Sequence, residues 1–416
     1  MTSLVSVLST VLLAPALTAG FQSLTVPDGN TPPLTVGVWY PSDSPATPHA
    51  LGSFQQAVAL DGRVAGGRAP LILISHGTAG SLASHYDTAL ALADAGFIVA
   101  AVTHAGDNFQ DQRYAGQLID LTDRPRQIIR VIDFMLNDSP IRDHIDRARI
   151  GMLGSSLGGF TALVVAGAEP DVGRLRVLCS TRPRAPECLF IKSRHGNQLD
   201  RQSKPPVWAH DGRVRAAVIA APAVGVVFDR NRLRNVTIPI QLWEAGNDRV
   251  SPNEWNGDVI RGGLPTQPEA RSVAGADHYV FLAPCSQTLV QQAPQICRDA
   301  PGVNRSRFHA EFNGAVVAFF ERALGRDRSA VEDICQDVLC LAIAKIRAGA
   351  VREPERLSGF VAAIARTKVI EHFRGLDARG AREALVRESP PVSAPDPDLP
   401  GRRRERTGAA RAAKTI

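Results

Sequence analysis

The first twenty residues contain no charged side chain. Leu4 to Leu17 reads as an apolar h-region and Ala14-Pro15-Ala16 as an A-x-A-like cleavage site, so residues 1–20 are expected to be a secretory leader. The absence of Lys or Arg ahead of the apolar stretch departs from the usual leader, and a buried N-terminal strand is the other reading. The stretch is too short to span a bilayer comfortably. Also absent is any Cys/His cluster with zinc-ligand spacing, so no metal and no cofactor is expected. Net charge is almost missing from the first 325 residues, which hold 29 Lys/Arg against 28 Asp/Glu. The basic excess lies in residues 326–416, with 18 against 13.

Cysteines are few, six in 416 residues. Cys179 and Cys188 bracket one Pro/Arg-rich segment, and Cys285 and Cys297 bracket another. Two local pairs, each closing a loop of about ten residues, would suit an oxidising compartment. Four cysteines allow three pairings, and the sequence does not choose among them. Cys335 and Cys340 sit five residues apart on one expected helix, cannot bridge there, and read as small apolar core residues.

What is present is an alternation of apolar strands and helices. Leu71–Ile74 is a strand ending at Ser75-His76-Gly77, Tyr86–Ala95 a helix closed by Gly96, and Phe97–Val102 the next strand. Pro125–Leu136 is a helix with Ile128, Ile129, Ile132 and Met135 on one face. Strands follow at Val214–Ala220 and Ile238–Trp243, and the last helix is His309–Leu324. Leu34–Trp39 alternates as an antiparallel edge strand would. Such a pattern predicts an α/β class chain with a mostly parallel sheet covered by helices on both faces. At 416 residues, one large or two unequal domains are expected.

Within this frame Ala148-Arg149-Ile150-Gly151-Met152-Leu153 runs into Gly154-Ser155-Ser156-Leu157-Gly158, a G-x-S-x-G turn, and a small-residue helix follows. A sharp strand-to-helix turn needs glycines flanking the serine and holds its hydroxyl clear of the sheet. Asp248 lies just past the strand Ile238–Trp243, and His278 about thirty residues later. Ser156, Asp248, His278 is the order of nucleophile, acid and base in α/β-hydrolases, and chemistry in such sheets sits beyond the strands' carboxyl ends. Taken singly, Asp248 could be a turn residue, His278 a surface histidine and His76 a strand cap. Asp277 competes for the acid role but adjoins His278 and would not easily reach round to Nδ1. Together they predict Ser156 as nucleophile, His278 as base and Asp248 as its orienting acid. The backbone N–H groups of Leu157 and of Thr78, after His76-Gly77, are expected to form an oxyanion hole. The segment Leu178–Trp208, with Arg182, Arg184, Lys192, Arg194 and Arg201, is expected to cap the site.

Residues 20–325 resemble the secreted, dienelactone-hydrolase-like branch of the α/β-hydrolases, related to platelet-activating-factor acetylhydrolases. The resemblance is carried by Val38-Trp39-Tyr40-Pro41, Ser75 to Ser81, and His104-Ala105-Gly106-Asp107-Asn108. Asp123-Arg124-Pro125-Arg126, Gly154–Gly159, Gly246-Asn247-Asp248 and Asp277 to Leu282 with Cys285 add to it. It implies the α/β-hydrolase fold and a serine carboxylic-ester hydrolase acting on a small-molecule or lipid ester, placed in the periplasm or secreted. True dienelactone hydrolases carry a cysteine nucleophile, so the serine here favours ordinary esters. A hydrolase-fold binding module without catalysis is the competing class.

Beyond Leu324 the sheet pattern stops. Ser329–Ala348 reads as a helix with Val331, Ile334, Val338, Leu341 and Ile346 on one face, and Glu355–Arg374 as a second with Leu357, Val361, Ala365, Val369 and Phe373. Ser329 to Val338 resembles the core-polymerase-binding helix of extracytoplasmic-function sigma factors, and Phe360 to Arg374 the promoter-melting helix of the same region. No DNA-binding helix-turn-helix follows, so the segment 326–385 reads as vestigial, with RNA polymerase and DNA as its alternative partners. Residues 386–416, Pro-rich and then basic, are expected to be disordered.

Overall fold

The computed structural model describes residues 18–29, 31–195 and 206–325, and scattered positions between 338 and 365. Most of the expected leader, Cys335, Cys340 and the 386–416 tail lie outside the described residues. The chain divides into two compact units, Met1–Arg326 and Asp327–Ile416.

Ten strands of the first unit share one sheet. They are β1 (Thr18–Asp28), β2 (Thr31–Ser42), β3 (Thr47–Leu51), β4 (Phe54–Leu60), β5 (Ala69–Ser75), β6 (Ile98–Thr103), β7 (Ile145–Ser155), β8 (Val214–Ala220), β9 (Ile240–Ala245) and β10 (Glu269–Val273). Their order is β10-β9-β8-β7-β5-β6-β2-β1-β4-β3. From β10 to β6 every neighbour is parallel. The connecting helices are α1 (Tyr86–Asp94), α2 (Leu118–Asn137), α3 (Leu157–Val165), α4 (Val172–Thr181), α5 (Pro186–His195), α6 (Arg230–Leu233), α7 (Gly257–Gly263), α8 (Gln287–Gln292), α9 (Pro294–Cys297) and α10 (Arg305–Leu324).

Successive side chains of a strand point to opposite faces, and β5 shows the result. Leu71 and Leu73 enter a core with Ile128, Ile132 and Phe160 of α2 and α3. Ile72 and Ile74 enter another with Leu92 of α1 and Phe312, Val316 and Phe320 of α10. Both faces are therefore covered, which is why the central strands are apolar throughout. This is the α/β-hydrolase architecture, a mostly parallel sheet with helices on either side.

Three boundaries differ from the sequence expectation. Thr18–Gly20, assigned to the leader, belong to β1, where Ala19 and Phe21 are buried; cleavage after Ala16 would leave this strand whole. β2 is antiparallel as expected but lies between β6 and β1 rather than at an edge. The edge is instead β3, part of a β3–β4 hairpin that follows it. Helix α2 starts at Leu118, not Pro125, and carries Pro125 inside it. An ion pair from Arg124 Nε to Asp120 Oδ1, at 3.3 Å and one turn apart, braces the turn that precedes the proline.

Disulfides join Cys179 to Cys188, tying α4 to α5, and Cys285 to Cys297, tying the loop before α8 to α9. Bonds of this kind persist in oxidising compartments. Replacing Cys285 and Cys297 together by serine opens a loop of separation 12 and is expected to cost about 2–3 kcal/mol. The urea midpoint of the double variant measures this, and an unchanged midpoint would contradict it.

In the second unit Val338, Ala342 and Ile364 are buried together, with Leu341, Phe360 and Val361 packed on them. Ile346 and Leu357, placed on the apolar stripes by periodicity, are exposed. Among the described residues no helix is long and apolar enough to cross a membrane.

Candidate active site

Ser156 caps α3 directly after β7, with φ 55° and ψ −120°. A residue with a side chain rarely adopts that backbone, and its persistence requires the surroundings to enforce it. They do so with glycine at the positions where the turn closes on itself. A Cβ on Gly154 would stand 2.0 Å from the Gly158 carbonyl oxygen, and one on Gly158 would stand 1.9 Å from that of Ser75. On the facing loop, a Cβ on Gly77 would come within 3.0 Å of Ser156 Cβ. The Ser156 N–H donates to the Ala220 carbonyl at 2.9 Å, fastening the turn to β8. The glycines at 154 and 158 are thus required by contact with backbone, and Gly77 by its close approach to Ser156.

Asp248 stands in the turn beyond β9, and His278 opens a single 3-10 turn, His278–Phe281. The Asp248 Oδ2 atom accepts from His278 Nδ1 at 2.7 Å, with both side chains buried. Its other oxygen accepts the N–H groups of Val250 at 2.9 Å and Ser251 at 2.7 Å. The turn thus anchors the carboxylate by one oxygen and leaves the other to His278. With Nδ1–H committed to Asp248, the neutral imidazole carries its lone pair on Nε2. Asp277 is excluded as the partner: its Oδ1 accepts the His278 backbone N–H at 2.6 Å and caps that turn.

The His278 turn is itself held from beneath. His85 Nδ1 donates to the Phe281 carbonyl at 3.0 Å, and His309 places Nε2 2.8 Å from the Val280 carbonyl and Nδ1 2.6 Å from Asp87 Oδ2. Burial pushes the His85 imidazole down to about 4.

His76 is not at the surface; its ring is buried under the loop that carries Thr78. Its Nε2 accepts the His104 backbone N–H at 3.0 Å, so Nδ1 bears the proton and donates to the Gly77 carbonyl at 2.6 Å. His104 donates Nδ1–H to Gln127 Oε1 at 2.9 Å and accepts from the Ser75 hydroxyl at 2.8 Å. Burial, and then the charge of Arg124, hold both imidazoles well below the usual histidine range.

One cavity of about 950 Å³ is bordered by Gly77, Thr78, Ser156, Leu157 and His278, at the upper end of small-molecule sites. Leu157 is the first residue of α3, where N–H groups have no partner inside the helix. Phe190 and Ile191 of α5, Leu289 of α8 and Ile296 of α9 also line the cavity, so described residues of the Leu178–Trp208 segment do border it. Among its cationic residues Arg194 reaches the cavity; it donates to Gln112 Oε1 at 2.6 Å and its guanidinium lies 5.4 Å from the centre of the Phe190 ring. Arg182, Arg184 and Lys192 are exposed away from it, and Arg201 lies outside the described residues.

Arg124 and Asp107, which sequence reasoning places only within motifs and gives no role, and Asp120, which it does not single out, are all buried beside this loop. A signal existed: Arg124 continues the apolar stripe of α2 back from Ile128, and a charge on a buried face needs a reason.

Residues 84–177 match the model of the prolyl oligopeptidase family. That stretch runs from just before α1 into α4 and contains Ser156, but stops short of Asp248 and His278. No curated protein matches the chain. The sheet order is that of the α/β-hydrolase fold, and the match over residues 84–177, which contains the serine turn, points to a serine hydrolase of that superfamily.

Proposed function

We propose that residues 21–325 are a serine carboxylic-ester hydrolase of the dienelactone-hydrolase-like, platelet-activating-factor-acetylhydrolase-like branch. The observation that carries this reading is the buried Asp248–His278 pair, whose histidine borders the same cavity as the strained Ser156 turn. A serine hydroxyl is a poor nucleophile until a base takes its proton during attack. His278 Nε2 takes that proton as Ser156 Oγ adds to the ester carbonyl, and Asp248 holds the ring's tautomer and stabilises the imidazolium. The carbonyl oxygen gathers negative charge between the N–H groups of Thr78 and Leu157. His278 then gives the proton to the departing alcohol, leaving an acyl-enzyme, and water enters by the reverse sequence with the acid released. The apolar lining, with Phe54, Phe109, Leu175 and Phe190, suits the hydrocarbon part of a small-molecule or lipid ester.

A peptidase is the second reading, favoured by the family match over residues 84–177; the same groups would attack an amide. Wild-type protein is expected to hydrolyse a short-chain p-nitrophenyl ester far faster than a peptidyl anilide and to be labelled by a fluorophosphonate. Ser156→Ala is expected to lose both activities. Hydrolysis persisting in that variant would sink the triad, no labelling of wild type would favour a silent binding module, and preference for the anilide would favour the peptidase.

The disulfides and the apolar leader support export to the periplasm or medium. The 326–385 segment then has no polymerase to meet, which supports reading it as a vestigial sigma-like remnant, with 386–416 as its tail.

A further inference from the structure

We propose that Arg124 is a positioning residue for the oxyanion hole, setting the plane of the Gly77–Thr78 peptide so that the Thr78 N–H faces the reacting carbonyl. This rests on the acyl-transfer reading above.

The Arg124 side chain is 1% exposed and reaches two successive carbonyls of the loop as well as Asp107 from the loop after β6. Nη1 donates to the His76 carbonyl at 2.8 Å and Nη2 to the Gly77 carbonyl at 3.2 Å. Nη2 and Nε also reach Asp107 Oδ2 at 3.1 and 3.3 Å, and Asp107 Oδ1 accepts the Ala79 N–H at 2.9 Å. Peptide planarity turns these anchors into an orientation. In a trans peptide the C=O and the next N–H point in opposite directions. With the Gly77 oxygen drawn inward by Arg124 and by His76 Nδ1, the Thr78 N–H must point outward, to the side where Gly77 approaches Ser156 and Thr78 borders the cavity. The Asp107 bond fixes the following peptide, so neither plane can rotate alone. Ala79 holds φ 58°, a left-handed backbone that alanine disfavours and that this bond helps to maintain.

A second carboxyl borders the same guanidinium. Asp120 Oδ1 lies 3.3 Å from Arg124 Nε, while its Oδ2 has no hydrogen-bonding partner among donors. Burial holds the Asp120 carboxyl well above the usual range, and the neighbouring Asp107 adds to it. A single-point ammonium could keep the charge but not the simultaneous grip on His76, Gly77 and Asp107.

The test is Arg124→Lys in the full chain, assayed on a p-nitrophenyl ester and with a trifluoromethyl ketone, whose serine adduct carries an oxyanion. The expected result is a kcat lower by about a hundredfold, as for loss of one oxyanion donor, with KM within about threefold. The ketone's inhibition constant should rise by the same factor, because both report transition-state charge. If the lysine variant does not fold, Asp107→Asn carries the test, since it keeps an acceptor for Ala79 and removes the charge that grips Arg124. A folded variant with kcat within threefold of wild type, or a lowered kcat with unchanged ketone affinity, would overturn the proposal. Activity surviving in Ser156→Ala would instead remove the underlying reading.

Discussion

Asp248→Asn is expected to lower kcat by about 10⁴ with the fold intact and KM little changed. The size follows from how the carboxylate is anchored. One oxygen accepts from Val250 and Ser251, and the other from His278 Nδ1, so all its partners are donors. An asparagine has one acceptor oxygen. The two backbone N–H groups will claim it, since turning the amide round would set its NH₂ against both. The NH₂ then faces His278 Nδ1, which can answer only by giving up its proton and accepting. That places the remaining ring proton on Nε2, where the lone pair is needed to receive the serine proton. The defect is thus a wrong tautomer, with cavity and nucleophile left in place. Steady-state kinetics on the ester measure it. A loss smaller than tenfold would take the orienting role from Asp248.

Much of this site was legible because its chemistry is tied to backbone constraints that sequence records. The Ser156 turn cannot form without glycine at 154 and 158, whose absent Cβ atoms leave room for two backbone carbonyls. Asp248 and His278 were found from strand ends, and the central strands announced themselves as unbroken apolar runs because both faces are buried. Where the sequence misled, a competing cause can be named. β1 and the sequence of residues 1–17 before it are both short of charge, so no boundary shows between them until Phe21 packs on Trp39 at 4.8 Å between ring centres. The β3–β4 hairpin is largely exposed along β3 and contains Pro48, so it carries no apolar signature. Pro125 reads as a helix start by local preference, yet α2 begins two turns earlier because Leu121 and Arg124 are buried on its inner face. Arg124 itself was invisible as a functional group because its partners, Asp107 and the carbonyls of His76 and Gly77, are distant in sequence.

Acid is expected to destabilise the hydrolase unit steeply between about pH 6.5 and pH 4. His76, His85 and His104 are all buried and neutral, with His85 held at about 4 and the other two well below the ordinary 6.5. In that window the unfolded chain binds protons that the folded one refuses, so stability falls as pH falls and levels off only below the folded values. Asp120 works the other way. Its raised carboxyl keeps a proton that the unfolded chain has lost above 3.8, and acidification therefore returns stability from that group. Three rings against one carboxyl leave a net difference of about two protons, or roughly 2.7 kcal/mol per pH unit. Two units then remove about 5 kcal/mol, as much as the whole stability of many domains. At roughly 2 °C per kcal/mol for a domain of this size, Tm should drop on the order of 10 °C between pH 6.5 and 4.5. The tautomers explain why no local relief is available. A second proton on His76 would meet the His104 N–H, and one on His104 would meet the Ser75 hydroxyl, both beside the Arg124 charge. His85→Asn separates the contributions, because its amide can still donate to the Phe281 carbonyl but does not titrate. Thermal melts across the window should show its Tm–pH slope reduced by about half, one proton of the net two. A wild-type Tm that stays flat from pH 6.5 to 4.5 would mean that these rings are not held neutral, and with them the close packing beneath the His278 turn and the Thr78 loop would be wrong.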